Sequence, residues 1–467
     1  MPGSSALTFL RNTEIARDKG SYPFVYYFTW SLTYLIFFLY LLSNSFNFIF
    51  DPLITDEPQR VWLSQLYFNL ILQRDFKNPE WQESYNGFGT NNPKISQYIM
   101  GISLLAAGEL NTRFDGDKYD WDQGMDWNIR HGRTPPWRTL FYARLPMAFL
   151  EAACGILLLF IVSRALSPVP SLLAALFFGG HPQMAYFGGR AMQDIPALFF
   201  ALLFLSVLIK FCTRDILQKS FIKGLPAMLA AGIILGVALQ TKLNNMVLVP
   251  ILALYLAWIS MFQAKPKFRI DIFGALNAKN ILLGALCLFT AWEAFIQTNP
   301  YISSGSILGS LAKARDLVEV NTMLGAYMKI FPGQILNGPA DKVAAINHLL
   351  FMSYLYIRIP ELAGFFHWGR MNIFYLMAFL GILFFCFAWH RGFQSGDAAK
   401  LDPIMLMGMT AAVIFAGNFY WVPLRWTRYF LPFLVPISIL LGFGFEFIVQ
   451  LLAGLVRRAF GMRPSPK

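Results

Sequence analysis

Long apolar runs separated by short polar turns dominate the pattern of this chain. Ten runs carry almost no charge, and they lie at residues 23–49, 139–162, 169–187, 191–211, 224–240, 245–263, 280–298, 371–389, 404–421 and 429–453. A helix of about 20 apolar residues crosses a hydrocarbon core about 30 Å thick, so each run predicts a membrane span. The run 169–187 contains Gly179-Gly180-His181-Pro182. Because Gly and Pro interrupt helices, we expect this span to be broken or frayed at its outer end.

Two polar segments, 51–138 and 299–370, interrupt the series of spans. Each is too polar to lie in lipid and too long for a plain connector. The first contains two helix-like pieces, near 57–74 and 94–110, and the second piece is apolar enough to lie at the membrane interface. The pattern therefore predicts an all-α polytopic membrane protein, residues 1–467 forming one membrane domain with a layer built from two long loops.

Composition agrees with this class of protein. Hydrophobic residues make up 56% of the chain and charged residues only 14%, against about 25% charged residues in an ordinary soluble domain. The four cysteines, which show no metal-ligand spacing, are expected to act as small hydrophobic residues. They are Cys154, Cys212, Cys287 and Cys386.

The net charge of +12 has an explanation in membrane topology. With a cytoplasmic N-terminus, the short outer loops carry only Arg190, Lys242, Arg425 and Arg428. The inner segments carry most of the other Lys and Arg residues that flank spans, which is the usual bias of cytoplasmic loops. Both termini are therefore predicted to be cytoplasmic, with no need for nucleic acid as a partner. The membrane would be the cytoplasmic (inner) membrane in a prokaryote and the endoplasmic reticulum in a eukaryote.

Carboxylates stand at the outer ends of two predicted spans. Asp56 and Glu57 open a surface helix after the first span, and Asp194 begins the fourth. An Asp at a helix start followed by Pro58 is ordinary capping. The alternative is a general base or a metal ligand at the outer membrane face. These three residues are the catalytic candidates, and Asp56 and Asp194 would be the ligands of a divalent cation if one binds.

Cations lie at the same outer face. Lys94 precedes the interfacial helix, Lys242 lies in a tight turn between two spans, and Arg425 and Arg428 lie between the last two spans. A Lys can simply snorkel to the headgroups, whereas a guanidinium also suits phosphate oxygens. Together with Arg190, these residues are the candidates for substrate binding.

Carboxylates and cations on one membrane face suit a reaction on a phosphorylated lipid. The carboxylates would deprotonate an acceptor hydroxyl, and the cations would hold the leaving phosphate. The alternative is a membrane transporter or lipid flippase. Transporters place ionisable groups near the bilayer midplane and often carry inverted repeats. Here the carboxylates lie at span ends, and we find no repeat. A third reading is an inactive scaffold of the same fold, and the retained carboxylates argue against it.

The order of these motifs resembles a known superfamily. Asp56-Glu57 opens the first loop, Pro93-Lys94 precedes the surface helix, Asp194-Ile-Pro-Ala-Leu-Phe-Phe enters the fourth span, residues 236–242 form a turn, and Arg428-Tyr429-Phe-Leu-Pro432 enters the last span. Over about residues 23–440 the chain resembles the GT-C glycosyltransferases. It is most similar to the dolichyl-phosphate-mannose-protein mannosyltransferase and aminoarabinose transferase group (glycosyltransferase family 39/83-like).

The resemblance implies a GT-C bundle of about ten transmembrane helices with juxtamembrane helices in the first loop. It implies a sugar donor on a polyprenyl monophosphate, transfer with inversion to a hydroxyl of a lipid, glycan or protein acceptor, and no certain cofactor. It identifies Asp56 with the first-loop acid proposed as the base, Glu57 with its neighbour and Asp194 with the second acidic position. Lys94 matches a lysine associated with the lipid phosphate, and Lys242 and Arg428 match positions of less certain role. The acidic, aromatic stretch 115–127 has no counterpart in the family pattern.

Overall fold

The computed structural model describes ten stretches of the chain. They are residues 23–81, 93–263, 269–270, 277–303, 306–322, 332–347, 367–368, 371–395, 398–422 and 424–459. Arg11, Arg17 and Lys19 near the start of the chain, and Arg463 and Lys467 near its end, lie outside the described residues.

Helices account for nearly all of the described structure. In chain order they are α1 Pro23–Ile49, α2 Glu57–Leu72, α3 Ile95–Ala106, α4 Met125–Arg130, α5 Trp137–Val162, α6 Pro168–Gly179, α7 Pro182–Gly188, α8 Asp194–Phe211, α9 Arg214–Lys219, α10 Phe221–Leu239, α11 Leu248–Met261, α12 Ala278–Gln297, α13 Pro300–Ser303, α14 Ile307–Thr322, α15 Pro339–Ile346, α16 Ile373–Ser395, α17 Ala398–Trp421 and α18 Leu434–Ala459. Short 3₁₀ turns occur at Pro79–Trp81, Gly116–Lys118, Leu243–Val247, Pro332–Gln334 and Thr427–Phe433. Two antiparallel pairs of two-residue strands join β1 Phe262–Gln263 to β2 Arg269–Ile270 and β3 His367–Trp368 to β4 Met371–Asn372.

Nine helical segments among the described residues are long and apolar enough to cross a membrane. They correspond to α1, α5, α8, α10, α11, α12, α16, α17 and α18, with the 3₁₀ turns before α11 and α18 included. The chain is therefore a multi-pass membrane protein, and the predicted all-α polytopic fold class is confirmed.

The one remaining predicted span, 169–187, is split into α6 and α7. The break falls at Gly180 and His181, and the His181 side chain caps α7 by accepting from the Gln183 N–H at 3.1 Å. Pro182 has no N–H to continue the hydrogen bonds of α6. The predicted interruption near the end of this span is thus present, and it divides the run into two helices too short to span alone.

The two ends of the α6–α7 pair contact different helices. At the start of α6, Ser167 donates its N–H and hydroxyl to Glu446 of α18 at 2.8 and 2.7 Å. Just after α7, the N–H of Ala191 donates to Glu57 of α2 at 2.8 Å. Neither helix is counted among the nine candidate spans, so the prediction of a span over 169–187 is met only by a broken pair of helices.

The observed helices extend beyond several predicted runs at their polar ends. α17 begins at Ala398 rather than 404, because its first turns carry a compensated charge. Asp402 accepts from the Arg214 guanidinium at 3.1 and 2.7 Å and from Trp258 Nε1 at 2.9 Å. Apolarity thus measures the part of a helix that lies in lipid, whereas hydrogen bonding and ion pairs decide where the helix itself ends.

Close helix packing fixes the turn that carries Lys242. A Cβ atom at Gly232 would lie 2.4 Å from the carbonyl oxygen of Cys287, and one at Gly236 would lie 2.3 Å from that of Ala291. The two glycines, four residues apart on α10, let its backbone touch that of α12, as small residues do in membrane helix pairs. Since α10 ends at Leu239, this contact positions the turn that follows.

The first loop packs over one end of the bundle. α2 lies against α3, and α3 lies against α5 through a buried cluster that includes Val61, Met100 and Met147. The N–H of Ile95 donates to the Gln240 carbonyl at 3.2 Å. The start of α3 is therefore attached to the turn after α10, so the loop and the membrane helices meet at the same end.

Three of the four cysteines are buried, as expected for small hydrophobic residues. Cys154, Cys212 and Cys287 are buried, and Cys386 is exposed on α16. All four are free thiols.

Candidate functional site

Four of the predicted site residues meet at this end of the bundle. The Lys242 ammonium donates to Asp194 Oδ1 at 2.6 Å. The Arg428 guanidinium donates to Asp56 Oδ2, across 372 positions of sequence. The two ion pairs are neighbours, because the charges of Lys242 and Arg428 both act on Asp194. The structure thus assembles a single ionic cluster from α2, α8, the turn after α10 and the approach to α18.

Neither carboxylate of the cluster caps its own helix. Asp56 occupies the N-cap position of α2, but its side chain makes no capping hydrogen bond. Asp194 is the first residue of α8, after the N-cap Gln193, and its Oδ1 is directed to Lys242. The long-range ion pairs, rather than the local capping that the sequence also allowed, therefore account for where these carboxylates point.

Arg60 is a component that the sequence reasoning missed. It is buried in the first turns of α2, where its Nη1 donates to Gln193 Oε1 at 3.1 Å, and its charge acts on Asp194. Arg60 lies four residues after Asp56, a spacing that places two side chains on one helix face. That spacing is the signal that could have found it. Counting Arg60, Lys242 and Arg428 against Asp56 and Asp194, the cluster has one positive charge in excess.

A cleft opens from the cluster into the membrane helices. It holds about 530 Å³ of empty space, counting its open mouth. Its polar end is formed by Asp194, Lys242, Asn244, Asn245, Asn418 and Arg428. Its other walls are apolar and come from Ala197, Leu198, Ala201, Leu202, Leu205, Val247, Leu248, Ile414, Leu431, Pro432 and Val435. The cleft therefore joins a charged, polar end to apolar walls that follow the helices.

Glu57 does not line the cleft but is buried between the helices beside it. Its carboxylate forms a two-point ion pair with Arg144, Nε to Oε1 at 2.7 Å and Nη2 to Oε2 at 2.5 Å, and both side chains are fully buried. The N–H groups of Ile54 and Ala191 also donate to it, at 3.0 and 2.8 Å. Because these contacts join α2, α5 and the loop before α8, Glu57 holds the elements that carry the site.

Arg190 also contacts the protein backbone instead of the cleft. Its Nη1 donates to the Pro52 carbonyl at 2.5 Å, its Nη2 lies 3.1 Å from Asp51 Oδ2, and its guanidinium lies over the Tyr186 ring. It fixes the segment between α1 and α2, just before Asp56. Arg425 is exposed, and its backbone N–H donates to the Gln334 carbonyl at 2.8 Å.

Lys94 is buried among aromatic rings. Its ammonium donates to the Tyr67 hydroxyl at 2.9 Å, and Tyr67 stacks on Trp81 with ring centroids 4.9 Å apart. Burial lowers the pKa of Lys94 to about 7. Lys94 does not line the cleft, although its neighbour Ile95 is bonded to the turn that leads to Lys242.

The two carboxylates predicted as possible metal ligands, Asp56 and Asp194, are each paired with a basic side chain. Within the described residues, no group of three or more His, Cys, Asp or Glu is placed to hold a metal ion. Calcium and magnesium ions take six or more oxygen ligands, whereas Asp56 and Asp194 face Arg428 and Lys242. As arranged, these residues do not fit a divalent cation.

The acidic, aromatic stretch 115–127 lies beside Asp56. Its 3₁₀ turn Gly116–Lys118 packs on α2, where a Cβ at Gly116 would meet Trp62. Burial, together with the Asp56 charge, raises the pKa of Tyr119. Asn128 holds the loop, exchanging hydrogen bonds with the backbone of Asp120 at 2.9 Å in both directions. The stretch is therefore an ordered wall next to the cluster.

Fold and site together define a polytopic membrane protein whose ionic cluster opens into an apolar cleft. Residues 138–292 match the dolichyl-phosphate-mannose-protein mannosyltransferase family. This match, over a segment that holds Asp194 and Lys242, confirms the resemblance to GT-C glycosyltransferases that the motifs indicated.

Solved structures give matches of low identity. The chain is similar to the archaeal oligosaccharyltransferase AglB from Archaeoglobus fulgidus in complex with an inhibitory peptide and a dolichol-phosphate, at 14% identity and a TM-score of 0.47, over 93% of this chain and 52% of that one. It is also similar to ArnT from Cupriavidus metallidurans bound to undecaprenyl phosphate, at 12% identity and a TM-score of 0.48, over 93% and 64%. The chain thus spans about half the length of the archaeal protein. No curated protein matches it in sequence.

Proposed function

We propose that this protein is a glycosyltransferase that moves a sugar from a polyprenyl-phosphate donor to an acceptor hydroxyl on the extracytoplasmic side of the membrane. The observation that carries the proposal is the cleft, which has Lys242 and Arg428 at its polar end and apolar walls between membrane helices. The family matched by residues 138–292 is described by the same kind of donor.

The cluster suits the donor phosphate by charge and by shape. Its excess of one positive charge favours an anion, and the planar guanidinium of Arg428 can bind two phosphate oxygens at once. The apolar walls contributed by α8, α11, α17 and α18 match an isoprenoid chain, which gains by leaving water. Lys242 and Arg428 are therefore the proposed phosphate ligands.

Asp56 is the proposed general base. It is partly exposed and bonded to Arg428, so a phosphate that takes up Arg428 frees the Asp56 carboxylate. Asp56 then accepts the proton of the acceptor hydroxyl as its oxygen attacks the anomeric carbon. The bond between that carbon and the phosphate oxygen breaks, and the phosphate leaves carrying the electron pair, stabilised by Lys242 and Arg428.

Transport of the lipid is the second function to weigh. In transporters, ionisable groups lie at the bilayer midplane, on discontinuous helices. Here Asp194 is the first residue of α8, and Arg428 lies in the 3₁₀ turn before α18, so the cluster is at the ends of spans. This position favours a reaction at the membrane face over passage through the bilayer.

The proposed orientation places both termini in the cytoplasm and the cluster on the opposite side. It follows from the Lys and Arg bias of the loops. The membrane is then the cytoplasmic membrane of a prokaryote or the endoplasmic reticulum of a eukaryote. The proposed acceptor is a lipid, glycan or protein that reaches this face, and the proposal needs no nucleic acid.

The test is transfer by purified protein in detergent, offered a panel of radiolabelled polyprenyl-phosphate sugars together with extracted membrane acceptors. Asp56→Asn should lower turnover by a factor of about 10² to 10⁴, the usual contribution of a positioned base, while donor binding persists. Asp215→Asn, which changes an exposed carboxylate on α9 at the other end of the bundle, is the matched control.

Each result separates the hypotheses. Turnover by Asp56→Asn at the wild-type rate would remove Asp56 from the mechanism. A folded protein that binds none of the lipid-linked sugars would contradict the glycosyltransferase and favour transport of another substrate. Adding and chelating divalent cations in the same assay tests for a metal requirement.

A further inference from the structure

One carboxylate oxygen of the cluster is buried and has no hydrogen-bond partner among the described residues. It is Oδ2 of Asp194, a residue only 4% exposed. The other oxygen of the same carboxylate accepts from Lys242 at 2.6 Å. A carboxylate oxygen can only accept hydrogen bonds, and an unmet buried acceptor is costly. Asp194 lines the cleft, where the hydroxyl or N–H group of a bound ligand can meet this oxygen.

The chemistry of the oxygen limits which part of a glycosyl phosphate can meet it. A phosphate oxygen is itself an anionic acceptor, so it would be repelled by Asp194. A sugar hydroxyl donates, and it is neutral. The rest of the polar end consists of the two cations and three uncharged amides, those of Asn244, Asn245 and Asn418. Nδ2 of Asn245 and of Asn418 donates to backbone carbonyls, so these two amides would meet a ligand through their Oδ1 atoms, which suit hydroxyl groups better than another anion.

The position of Lys242 limits which hydroxyl this is. Lys242 binds one oxygen of the Asp194 carboxylate and is a proposed ligand of the donor phosphate. The group on the other oxygen must therefore lie close to that phosphate. In an aldose joined to phosphate through C1, the hydroxyl on C2 is the one on the carbon next to the anomeric centre.

We propose that Asp194 accepts a hydrogen bond from the C2 hydroxyl of the donor sugar and so selects donors that carry a hydrogen-bond donor at C2. This inference rests on the proposed function, and it makes Asp194 a residue for sugar recognition rather than a second base. Hydrogen bonds to this hydroxyl also strengthen as positive charge develops at the anomeric carbon. Asp194 therefore acts on the rate as well as on binding.

The experiment uses the donor that the panel identifies, together with its synthetic 2-deoxy and 3-deoxy forms. Wild-type protein should use the 2-deoxy donor with a kcat/KM lower by a factor of about 10 to 100, the usual effect of a hydrogen bond to a charged group. The 3-deoxy donor should lose less. Asp194→Ala should lose activity towards the parent donor and show nearly equal kcat/KM for the parent and 2-deoxy donors.

The ratio between donors distinguishes recognition from a structural role. A residue that only supports the fold would lower activity on every donor by the same factor and leave the 2-deoxy ratio unchanged in Asp194→Ala. That result overturns the proposal. Should Asp194→Ala fail to fold, the wild-type series alone decides, because a 2-deoxy donor used as well as the parent also overturns it.

Two further results would point to a bound cation at Asp194 or to failure of the proposed function itself. If a chelator removes the 2-deoxy discrimination of the wild type, and calorimetry shows that Asp194→Ala has lost a bound divalent ion, the free oxygen faces a cation and the proposal is wrong. If wild-type protein neither binds nor consumes any lipid-linked sugar, the proposed function has already failed before Asp194 is tested.

Discussion

Two buried carboxylates at the cleft end of the molecule are each paired with a cation. Glu57 faces Arg144 with both side chains fully buried, and Asp194 faces Lys242 with both largely buried. Removing one partner of such a pair typically costs about 3–5 kcal/mol, because the other charge is left uncompensated. The pairs therefore fix the arrangement of α2, α5 and α8, and they allow an ionic cluster to exist beside lipid.

Lys94 gives a pH-dependent prediction at the residue scale. Its pKa is about 7 in the folded protein, against an ordinary 10.5. Between these values the unfolded chain binds the additional proton, so stability should rise as the pH increases from 7 to 10.5, with no further effect below 7. Lys94→Met should lose this rise and should be more stable than the wild type near pH 7, as measured by thermal unfolding in detergent.

Lys118→Met, which removes an exposed lysine of the same loop, is the control and should retain the wild-type pH profile. Parallel stability curves for Lys94→Met and the wild type would show that burial of this amine does not govern the profile. Weaker donor binding by Lys94→Met would support the phosphate contact that the family pattern implies for this lysine.

The sequence predicted the members of the ionic cluster more easily than it predicted which carboxylate pairs with which cation. Asp56, Asp194, Lys242 and Arg428 were recognisable because each is an ionisable residue at the end of an apolar run. The pairing among them was not recognisable, since nothing local links Asp56 to Arg428 across 372 positions. Arg144 was missed for a different reason: it lies inside a predicted span, where only the fully buried Glu57 makes it tolerable.

At the scale of elements, the hydrophobic pattern gave the helices and missed some of their ends. The runs 23–49 and 191–211 nearly coincide with α1 and α8. α16 and α18 continue past their apolar runs to Ser395 and Ala459, because a helix can extend into water once it has left the lipid. The division of 169–187 was visible in advance, since Gly and Pro act locally.

A prediction at the scale of helices concerns the contact between α10 and α12. Gly236→Val would place side-chain atoms against the Ala291 carbonyl, where even a Cβ would lie only 2.3 Å away. The helices must separate, and overpacking of this kind costs about 1–3 kcal/mol. Because Lys242 follows α10, we expect a lower melting temperature together with weaker binding of a polyprenyl-phosphate donor.

Gly454→Val is the matched control, because a Cβ at Gly454 of α18 meets no atom within 4 Å. It should leave both the melting temperature and donor binding unchanged. Wild-type donor affinity in Gly236→Val would show that the turn after α10 is held independently of the α10–α12 contact.

At the scale of the whole molecule, the ionic cluster and the Arg214–Asp402 pair mark opposite ends of the bundle. α8 runs from Asp194 in the cluster to Phe211, and Arg214 follows its end. The proposed topology assigns the cluster end to the extracytoplasmic side. One orientation therefore decides the location of the reaction and of both termini together.

Cysteine labelling tests this orientation. In a variant without its four native cysteines, Gln123→Cys in the first loop should react with a membrane-impermeant maleimide on intact spheroplasts or sealed vesicles of known orientation. Asp215→Cys on α9 should react only after permeabilisation. Both positions are exposed. The reverse pattern would place the cluster in the cytoplasm and would overturn the extracytoplasmic assignment.

The ion pair between Asp56 and Arg428 also has a consequence for the timing of assembly. A ribosome makes Asp56 early and Arg428 only 372 residues later, when most of the membrane helices have already been synthesised. Until then the carboxylate has no guanidinium to meet, and the wall of the cleft formed by α18 is missing. The proposed transfer therefore requires a chain made past Arg428, and a chain interrupted before its last span would lack both this ion pair and one wall of the cleft.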